Sequence, residues 1–307
     1  MDAVICSIWT RGDAQEADRL RYFERTRCNG RVQVNALGME HNVTFHTLPR
    51  GGGMSDRSER AILAQTRQTY LELREKFPEA EKTIGDGESP SFGESFILDG
   101  FSCRDVCIGD VFKVAGSTLT LQVSSPRHAC SRVDRKHPMN SQLPSGSLGT
   151  LRHFVNGTGC GGIFFRVMTP GRAGDGDRLA LVRRPHPKWT LDRVASIVTP
   201  IEASSCLRPT WNGSDEELDE LCELKELACW EWKDVFRALK EKGVKSVNVH
   251  SLSGNGTLEN VGVRVTGNHL CPDCNQRFDT EMDQILHWKF VHDSETHQQP
   301  IEDTVLH

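Results

Sequence analysis

Residues 1–187 alternate short apolar runs with glycine-rich turns. Leu119, Leu121 and Val123 are separated by polar residues, which is the period of two that marks a strand with one buried face. A preceding run at 111–114 and a short Ala-Gly-Ser loop complete a predicted hairpin. Further strand-like runs lie at 4–9, 31–35, 163–168 and 178–182. Repeated short strands with glycine-rich turns favour a β-barrel or sandwich over a wound α/β sheet.

Helical patterns occupy fewer positions. The segment 61–77 places Ile62, Thr66, Tyr70, Leu73 and Phe77 on one face and ends before a proline, which predicts a single helix. A short helix is predicted after Thr190, and a capping box at Ser214–Glu217 opens a long amphipathic region that ends at Gly243. We therefore expect a mainly β fold with a few helices, followed by a small α-helical unit.

Composition and charge narrow the class of protein. The chain has 307 residues, 37% hydrophobic and 26% charged residues and a formal net charge of -5, which is typical of a globular protein and not of one that coats nucleic acid. No basic leader with an apolar core and no run of about 18 apolar residues is present, so we expect no membrane partner. The 11 cysteines lack framework spacing and are expected to be reduced. The predicted compartment is the cytoplasm, with the nucleus left open, so the sequons at Asn42, Asn156, Asn212 and Asn255 are interpreted as chance matches.

A glycine loop precedes the predicted helix at 61–77. Residues 49–60 read Pro-Arg-Gly-Gly-Gly-Met-Ser-Asp-Arg-Ser-Glu-Arg, and free amides at a helix start beside Arg57 and Arg60 are suited to bind an anion. The loop lacks the Gly-Lys-Ser/Thr of a P-loop. A plain flexible loop before a capped helix remains the alternative.

The main candidate for chemistry is the segment at 121–130. A strand pattern stops at Pro126 and is followed at once by Arg127, His128 and Cys130. A thiol beside potentially cationic side chains is favoured to ionise and to bind a metal. A buried structural cysteine, a surface salt bridge for Arg127 and a solvated loop position for His128 are the alternatives, and only His128 is left out of the candidate site.

Several pieces of the sequence together resemble a known family. The order and spacing of these pieces match those of the family over about residues 30–200. The pieces are Arg60-Ala61, Arg67 to Glu79 with its closing Phe-Pro-Glu, Gly93-Glu94, Ile108 to Phe112, Gln122 to Cys130, Gly162, Arg166-Val167, Pro170-Gly171 and Gly176 to Leu179. They resemble a MOSC domain, named for the C-terminus of molybdenum cofactor sulfurase. The similarity is to the stand-alone branch that reduces N-hydroxylated bases and related compounds.

The resemblance implies a β-barrel-like fold that binds the molybdenum cofactor. It implies that Cys130 is the molybdenum ligand and the catalytic residue, and that Arg60, Glu94 and Arg127 contribute to cofactor binding. The expected partners are a small N-hydroxylated substrate and an external electron-donor protein. The chain departs from the branch's usual His-Gly-Gly-Pro-Asp-Arg-Ala and Gly-Glu-Asn motifs at Ser55 and Ser95. No pyridoxal-phosphate domain of the sulfurase kind is expected ahead of residue 30.

The C-terminal region carries a second motif. Cys271-Pro-Asp-Cys274 is followed after twelve residues by His287 and after four more by His292, a spacing that supplies the four tetrahedral ligands of structural Zn²⁺. The candidate base-reading positions are Thr280, Asp283 and Leu286, which are not typical of direct readout. We therefore expect a Cys2His2 finger of ββα type that contacts protein or stabilises the chain, and we consider nucleic acid an unlikely partner.

These patterns divide the chain into an N-terminal extension or first strand at 1–29, a MOSC barrel at 30–187, a helical unit at 188–243, a linker at 244–267, the finger at 268–293 and a tail at 294–307. The interpretation favoured is a molybdenum-dependent oxidoreductase. Two alternatives stay open: a carrier of the cofactor or of sulfur without turnover, and a zinc-finger adaptor on a vestigial MOSC scaffold.

Overall fold

The computed structural model describes residues 1–10, 23–39, 58–130, 132–138, 149–201, 208–211 and 213–228, together with a few positions between 232 and 285. The strands are β1 (Asp2–Thr10), β2 (Thr26–Arg27), β3 (Val32–Asn35), β4 (Gly38–Met39), β5 (Ile62–Thr66), β6 (Phe96–Asp99), β7 (Val111–Val114), β8 (Thr120–Pro126), β9 (Ile163–Thr169), β10 (Gly171–Ala173), β11 (Arg178–Arg183), β12 (Val198–Ile201), β13 (Arg208–Trp211), β14 (His269–Leu270) and β15 (Arg277–Phe278). The α-helices are α1 (Arg67–Lys76), α2 (Glu81–Ile84), α3 (Arg132–Lys136), α4 (Leu151–Thr158), α5 (Leu191–Ile197) and α6 (Asp215–Glu223), and short 3-10 turns lie at Pro78–Ala80 and Cys103–Asp105.

A closed barrel forms the centre of the described fold. Its strands follow the order β11-β7-β8-β9-β5-β6-β1, and a further pairing of β11 with β1 closes the ring, while β2 extends β1. Only the β5–β6 contact within this ring is parallel. Closure leaves no free sheet edge in the ring, and the first strand of the chain is one of its members. The mainly β barrel expected from the sequence is confirmed, and so is the hairpin of β7 and β8.

The single helix predicted at 61–77 is wrong in its first third. Ile62–Thr66 form β5, which pairs with β9 and β6, and α1 begins only at Arg67. The apolar positions of this segment fit both a helix face and a buried strand. The segment forms a strand because it pairs with two strands that are distant in sequence. Thr66 ends the strand and caps the helix, since its side chain accepts a hydrogen bond from the Thr69 amide at 3.1 Å.

The barrel interior is filled by large apolar side chains from opposite strands. Phe112 and Phe165 are fully buried, and their ring centroids lie 6.0 Å apart in an edge-to-face arrangement. A second apolar cluster lies outside the ring and joins α1, α3 and α4 through Tyr70, Val133 and Val155. This second cluster sets the position of the helices that flank the end of β8.

The helical unit predicted up to Gly243 is not one continuous helix, although the described positions 232, 233, 236, 237 and 240 are again helical. The capping box of Ser214 and Glu217 is present, but α6 ends at Glu223. Trp232 and Phe236 are nonetheless buried in the same apolar core as the barrel, at 4% and 0% exposure. These two side chains therefore pack within the chain.

Within the described part of the chain, no helix is both long and apolar enough to cross a membrane. The described cysteines are free: Cys6, Cys28, Cys103, Cys107, Cys130, Cys160 and Cys222.

Candidate functional site

The segment from Ser124 to Cys130 leaves the barrel at the end of β8. A register shift between Val123 and Ser125 interrupts its pairing with β9, and the Arg127 amide then donates to the Gly162 carbonyl at 2.8 Å. Bulges of this kind redirect a strand and are common beside active sites. The chain therefore turns away from the sheet at the point where Arg127 and Cys130 follow, and Cys130 is half-buried.

Helix α4 fixes this loop through the backbone of Ala129. The Ala129 amide donates to Asn156 Oδ1 at 2.7 Å, and its carbonyl accepts from Asn156 Nδ2 at 3.0 Å and from Arg152 Nε at 3.2 Å. Arg152 is fully buried and Asn156 is 6% exposed. The two side chains are spaced i, i+4 on one face of the helix, so together they hold the residue directly before Cys130.

The opposite side of the loop approaches a glycine. A Cβ added to Gly161 would lie 2.6 Å from the carbonyl oxygen of Arg127, closer than any real Cβ contact. Glycine is required there by the close approach of two backbones. The loop is thus held between α4 and the start of β9.

Three cationic side chains converge on one aromatic ring. The guanidinium carbon of Arg127 lies 5.8 Å from the ring centroid of Phe23, and the Lys136 ammonium lies 5.1 Å from it. Arg25 donates to the Gly93 carbonyl at 2.7 Å, beside the same ring. Burial lowers the pKa of Lys136, opposed by Glu94 and reinforced by Arg25 and Arg127. We call Arg25, Arg127 and Lys136 the basic cluster.

Glu94 lies at the base of the basic cluster. Its carboxylate is fully buried, accepts a hydrogen bond from the Tyr70 hydroxyl and accepts another from the Phe92 amide at 2.9 Å. Burial and the neighbouring Glu94 charge raise the pKa of Tyr70. The carboxylate thus orders the Ser91–Gly93 turn from within. The cofactor-binding role predicted for Glu94 stays a prediction.

Arg60 lies near the other end of the segment. Its guanidinium carbon lies 5.4 Å from the ring centroid of Phe164, and Phe164 is the cross-strand neighbour of Ser125. The side-chain hydroxyl of Ser124 donates to the carbonyl of Glu59, the residue before Arg60. The structure therefore brings Arg60 to the β8 end that also carries Arg127 and Cys130, while the rest of the glycine loop at 49–57 lies outside the described residues.

The solvated position expected for His128 is wrong. The side chain is half-buried, and burial, reinforced by the charges of Arg152 and Arg127, lowers its pKa to about 3. His128 is therefore neutral at neutral pH and adds no cation beside Cys130.

A second histidine, His137, directly follows α3 and packs against the turn that precedes Glu94. His137 is fully buried, its ring nitrogens lie 3.1 Å from Thr83 Oγ1 and 3.2 Å from the Ser91 carbonyl oxygen, and its ring stacks near Phe92. Burial, reinforced by the charge of Lys136, lowers its pKa to about 4. A neutral imidazole thus joins α3 to the turn that Glu94 orders.

Residues from the helical unit cover the other edge of β8. The Ala228 amide donates to the Ser124 carbonyl at 2.9 Å, and the Trp232 indole donates to the Pro126 carbonyl at 3.0 Å. These contacts begin beyond the last residue of β8 that pairs with β7. Ala228 and Trp232 therefore form part of the wall beside the residues that lead to Cys130.

The four predicted zinc ligands, Cys271, Cys274, His287 and His292, lie outside the described residues. The described neighbours on either side of the first two form the antiparallel pair β14 and β15, in which His269 faces Phe278. No group of three or more potential metal ligands is found elsewhere in the described residues.

Sequence reasoning missed the residues that position the loop. Arg152 and Asn156 are four residues apart, which is the spacing of neighbours on one helix face. From the sequence, Asn156 was interpreted only as a chance glycosylation sequon. Its side chain is 6% exposed and lies inside the fold. Phe23, Arg25 and Lys136 gave no motif, since the chain fold alone brings them together. The i, i+4 pair was the one available signal.

Comparison with known proteins supports the family resemblance. A family model described as "MOSC domain" matches residues 41–180. A curated protein named "Reductase" from Gibberella moniliformis (strain M3125 / FGSC 7600) is 30% identical over 165 residues, covering 54% of this chain and 26% of that protein. "Protein YiiM" of Escherichia coli (strain K12) is 27% identical over 156 residues, covering 51% of this chain and 61% of its own length. The chain thus spans less than two thirds of both curated relatives.

Solved structures agree on the fold. The crystal structure of YiiM from Escherichia coli superposes with a TM-score of 0.57 at 20% identity, covering 80% of this chain and 95% of that one. YiiM from Geobacillus stearothermophilus gives a TM-score of 0.53 at 23% identity, covering 76% and 97% of the respective chains. At these identities the likeness concerns the fold. The family model matches residues 41–180, which is less than half of the chain, so this chain is similar to a MOSC domain over that stretch.

Proposed function

We propose that this chain binds the molybdenum cofactor and reduces N-hydroxylated bases or related compounds, with the Cys130 thiolate as the protein ligand to molybdenum. The observation that carries the proposal is the clamped, half-buried Cys130 at the end of β8, three residues after the buried Arg127. Thiolates are preferred ligands of soft metal centres. MOSC domains are generally associated with the molybdenum cofactor, and one relative bears the name "Reductase".

The charges around the segment fit such a cofactor. A dithiolene, a thiolate and a phosphate bring several negative charges to one place, and the basic cluster offers Arg25, Arg127 and Lys136 around Phe23. Arg60 adds a further cation at the Ser125 side of the segment. Desolvation lowers the pKa of Lys136, and bound anionic groups would raise it again.

The cofactor, when bound, would supply the redox chemistry that cleaves the N–O bond. The overall change takes two electrons from an external donor protein and two protons, and it converts an N-hydroxylated compound into the amine and water. Arg127 offsets the charge of the thiolate, while Asn156 and Arg152 hold the Ala129 backbone so that Cys130 keeps one position. His128, with its pKa near 3, adds no competing positive charge at neutral pH.

Reconstitution tests the reductase proposal. The full chain, loaded with molybdenum cofactor and supplied with a reduced viologen as artificial donor, is expected to convert an N-hydroxylated purine or an amidoxime to its amine. Cys130→Ala should abolish turnover, while Cys6→Ala, at another half-buried cysteine, should retain it. Retained turnover in Cys130→Ala would overturn the ligand assignment.

Two other functions use the same residues differently. A carrier of the cofactor or of sulfur would bind the cofactor through Cys130 but turn over no N-hydroxylated compound. An adaptor on a vestigial scaffold would contain zinc and never molybdenum. The reductase is favoured because one of the curated relatives is named "Reductase".

We further propose that residues 268–293 form a zinc finger that contacts protein. The ligand spacing supports it, and so does the pairing of β14 with β15, which brackets the Cys271–Cys274 knuckle as a finger hairpin does. Protein expressed with zinc should contain it, and Cys274→Ser should lose it while molybdenum content stays unchanged. Equal zinc content in that variant would refute the finger.

A further inference from the structure

The basic cluster contains one side chain that can act as an acid. Arg25 and Arg127 keep their charge, because a guanidinium does not deprotonate in a folded protein. Burial lowers the pKa of the Lys136 ammonium below its ordinary value of 10.5, and Arg25 and Arg127 reinforce this shift. Glu94 and Glu24 oppose it. Lys136 is therefore the titratable member of a cluster whose other two cations are permanent.

Helix α3 ties Lys136 to the loop that carries Cys130. The Val133 amide donates to the Cys130 carbonyl at 3.0 Å, so the helix starts directly on that loop. Asp134 Oδ1 accepts a hydrogen bond at 2.9 Å from the backbone amide of Arg152, the arginine whose side chain also holds the loop. Lys136 lies about 6 Å along the axis from the first residue of α3. The helix therefore keeps Lys136 in one position relative to the Cys130 loop.

The Lys136 ammonium lies beside the same aromatic ring as the Arg127 guanidinium. The ammonium is 5.1 Å and the guanidinium carbon 5.8 Å from the ring centroid of Phe23, which is 7% exposed. The side chain of Lys136 itself is half-buried. A half-buried ammonium can release its proton to a bound group and take another from solvent, whereas a sealed one cannot be recharged.

Reduction of an N-hydroxylated compound needs an acid as well as electrons. The oxygen leaves as hydroxide unless it is protonated when the N–O bond breaks, and hydroxide is a poor leaving group. A positioned acid whose pKa is close to the working pH meets this need, and lysines are tuned towards it by burial and by neighbouring cations.

We propose that Lys136 is the proton donor for the departing oxygen. The external donor supplies two electrons, and the Lys136 ammonium supplies one proton to the oxygen, which leaves as water. Solvent supplies the second proton to the nitrogen, which gives the amine, and a third returns the neutral Lys136 to its ammonium form. The inference rests on the reductase proposal and adds to it a role that neither Arg25 nor Arg127 can fill.

Acylation of lysines measures the titration of Lys136 without cofactor or turnover. The full chain is treated with acetic anhydride at a series of pH values, and mass spectrometry follows the acetylation of each lysine, since only the neutral amine reacts. The midpoint of the Lys136 reaction should lie below the ordinary value of 10.5. A midpoint at or above that value would overturn the proposal.

Lys136→Arg separates proton donation from charge. The variant keeps a cation beside Phe23 but has no proton to give, so its molybdenum content should equal that of the wild type. Its kcat should fall roughly a hundredfold or more while KM changes little. Lys76→Arg is the matched control, because Lys76 is exposed and its ammonium lies 5.9 Å from the ring centroid of Phe154. This control should behave as the wild type.

The pH dependence of kcat identifies the acid. The wild type should lose activity as pH rises through the Lys136 pKa, because only the ammonium can donate, and this alkaline decline should be missing in Lys136→Arg. Retained kcat in that variant, or an unchanged decline, would overturn the proton donor and leave the reductase proposal standing. A wild type without any turnover refutes both. If Lys136→Arg does not fold, the acylation midpoint of the wild type still decides.

Discussion

Replacing Asn156 by alanine tests whether the α4 clamp determines the position of Cys130. The substitution removes the acceptor at 2.7 Å from the Ala129 amide and the donor at 3.0 Å from the Ala129 carbonyl. The carbonyl keeps its hydrogen bond from Arg152 at 3.2 Å, but the amide is left buried and unpaired. One lost hydrogen bond and one unsatisfied donor together cost about 2–4 kcal/mol.

Urea unfolding at pH 7.5 measures this cost, and molybdenum content measures its consequence for the site. Asn156→Asp is the matched control, since it keeps an acceptor for the Ala129 amide and loses only the donor, so it should lose less stability than Asn156→Ala. Molybdenum content should fall in the same order. A loss of stability below about 0.5 kcal/mol in Asn156→Ala would show that this clamp does not hold the loop.

Two further predictions concern pH and packing. The pKa of His137 lies at about 4 in the fold and near its ordinary 6.5 when unfolded, so only the unfolded chain takes up a proton between these values. Stability should therefore be full above pH 6.5 and fall by roughly 3 kcal/mol towards pH 4. His137→Asn should flatten this decline in urea unfolding across pH 4.5–7.5, and an unchanged slope would contradict the assignment. Gly161→Ala forces its Cβ to 2.6 Å from the Arg127 carbonyl oxygen and should lower both Tm and molybdenum content. Gly116→Ala, whose Cβ would meet nothing within 4 Å, should lower Tm without lowering molybdenum content. The same loss of molybdenum in both variants would refute the close-approach argument.

The local patterns of the sequence predicted the elements that are set by local interactions. The hairpin of β7 and β8 followed from the alternation at Leu119–Val123, and the loop that carries Arg127 and Cys130 followed from the strand stop at Pro126. The capping box at Ser214 was readable for the same reason, because both of its partners lie within one helical turn.

Features that depend on distant pairings could not be predicted in this way. Ile62–Thr66 became a strand because β9 and β6 are its neighbours, although the same residues fit a helix face. The clamp from Asn156 to Ala129 and the gathering of cations around Phe23 join residues far apart in sequence. Burial also reversed the expectation for His128, since exposure depends on the final fold.

The role of Cys130 as the molybdenum ligand is tested most directly by metal analysis. Wild type, Cys130→Ala and Cys6→Ala are expressed in cells supplied with molybdate, purified, and measured by mass spectrometry for molybdenum and zinc. The wild type and Cys6→Ala should contain near-stoichiometric molybdenum, Cys130→Ala should contain little, and zinc should be equal in all three. Equal molybdenum in Cys130→Ala, or zinc without molybdenum in the wild type, would contradict the account.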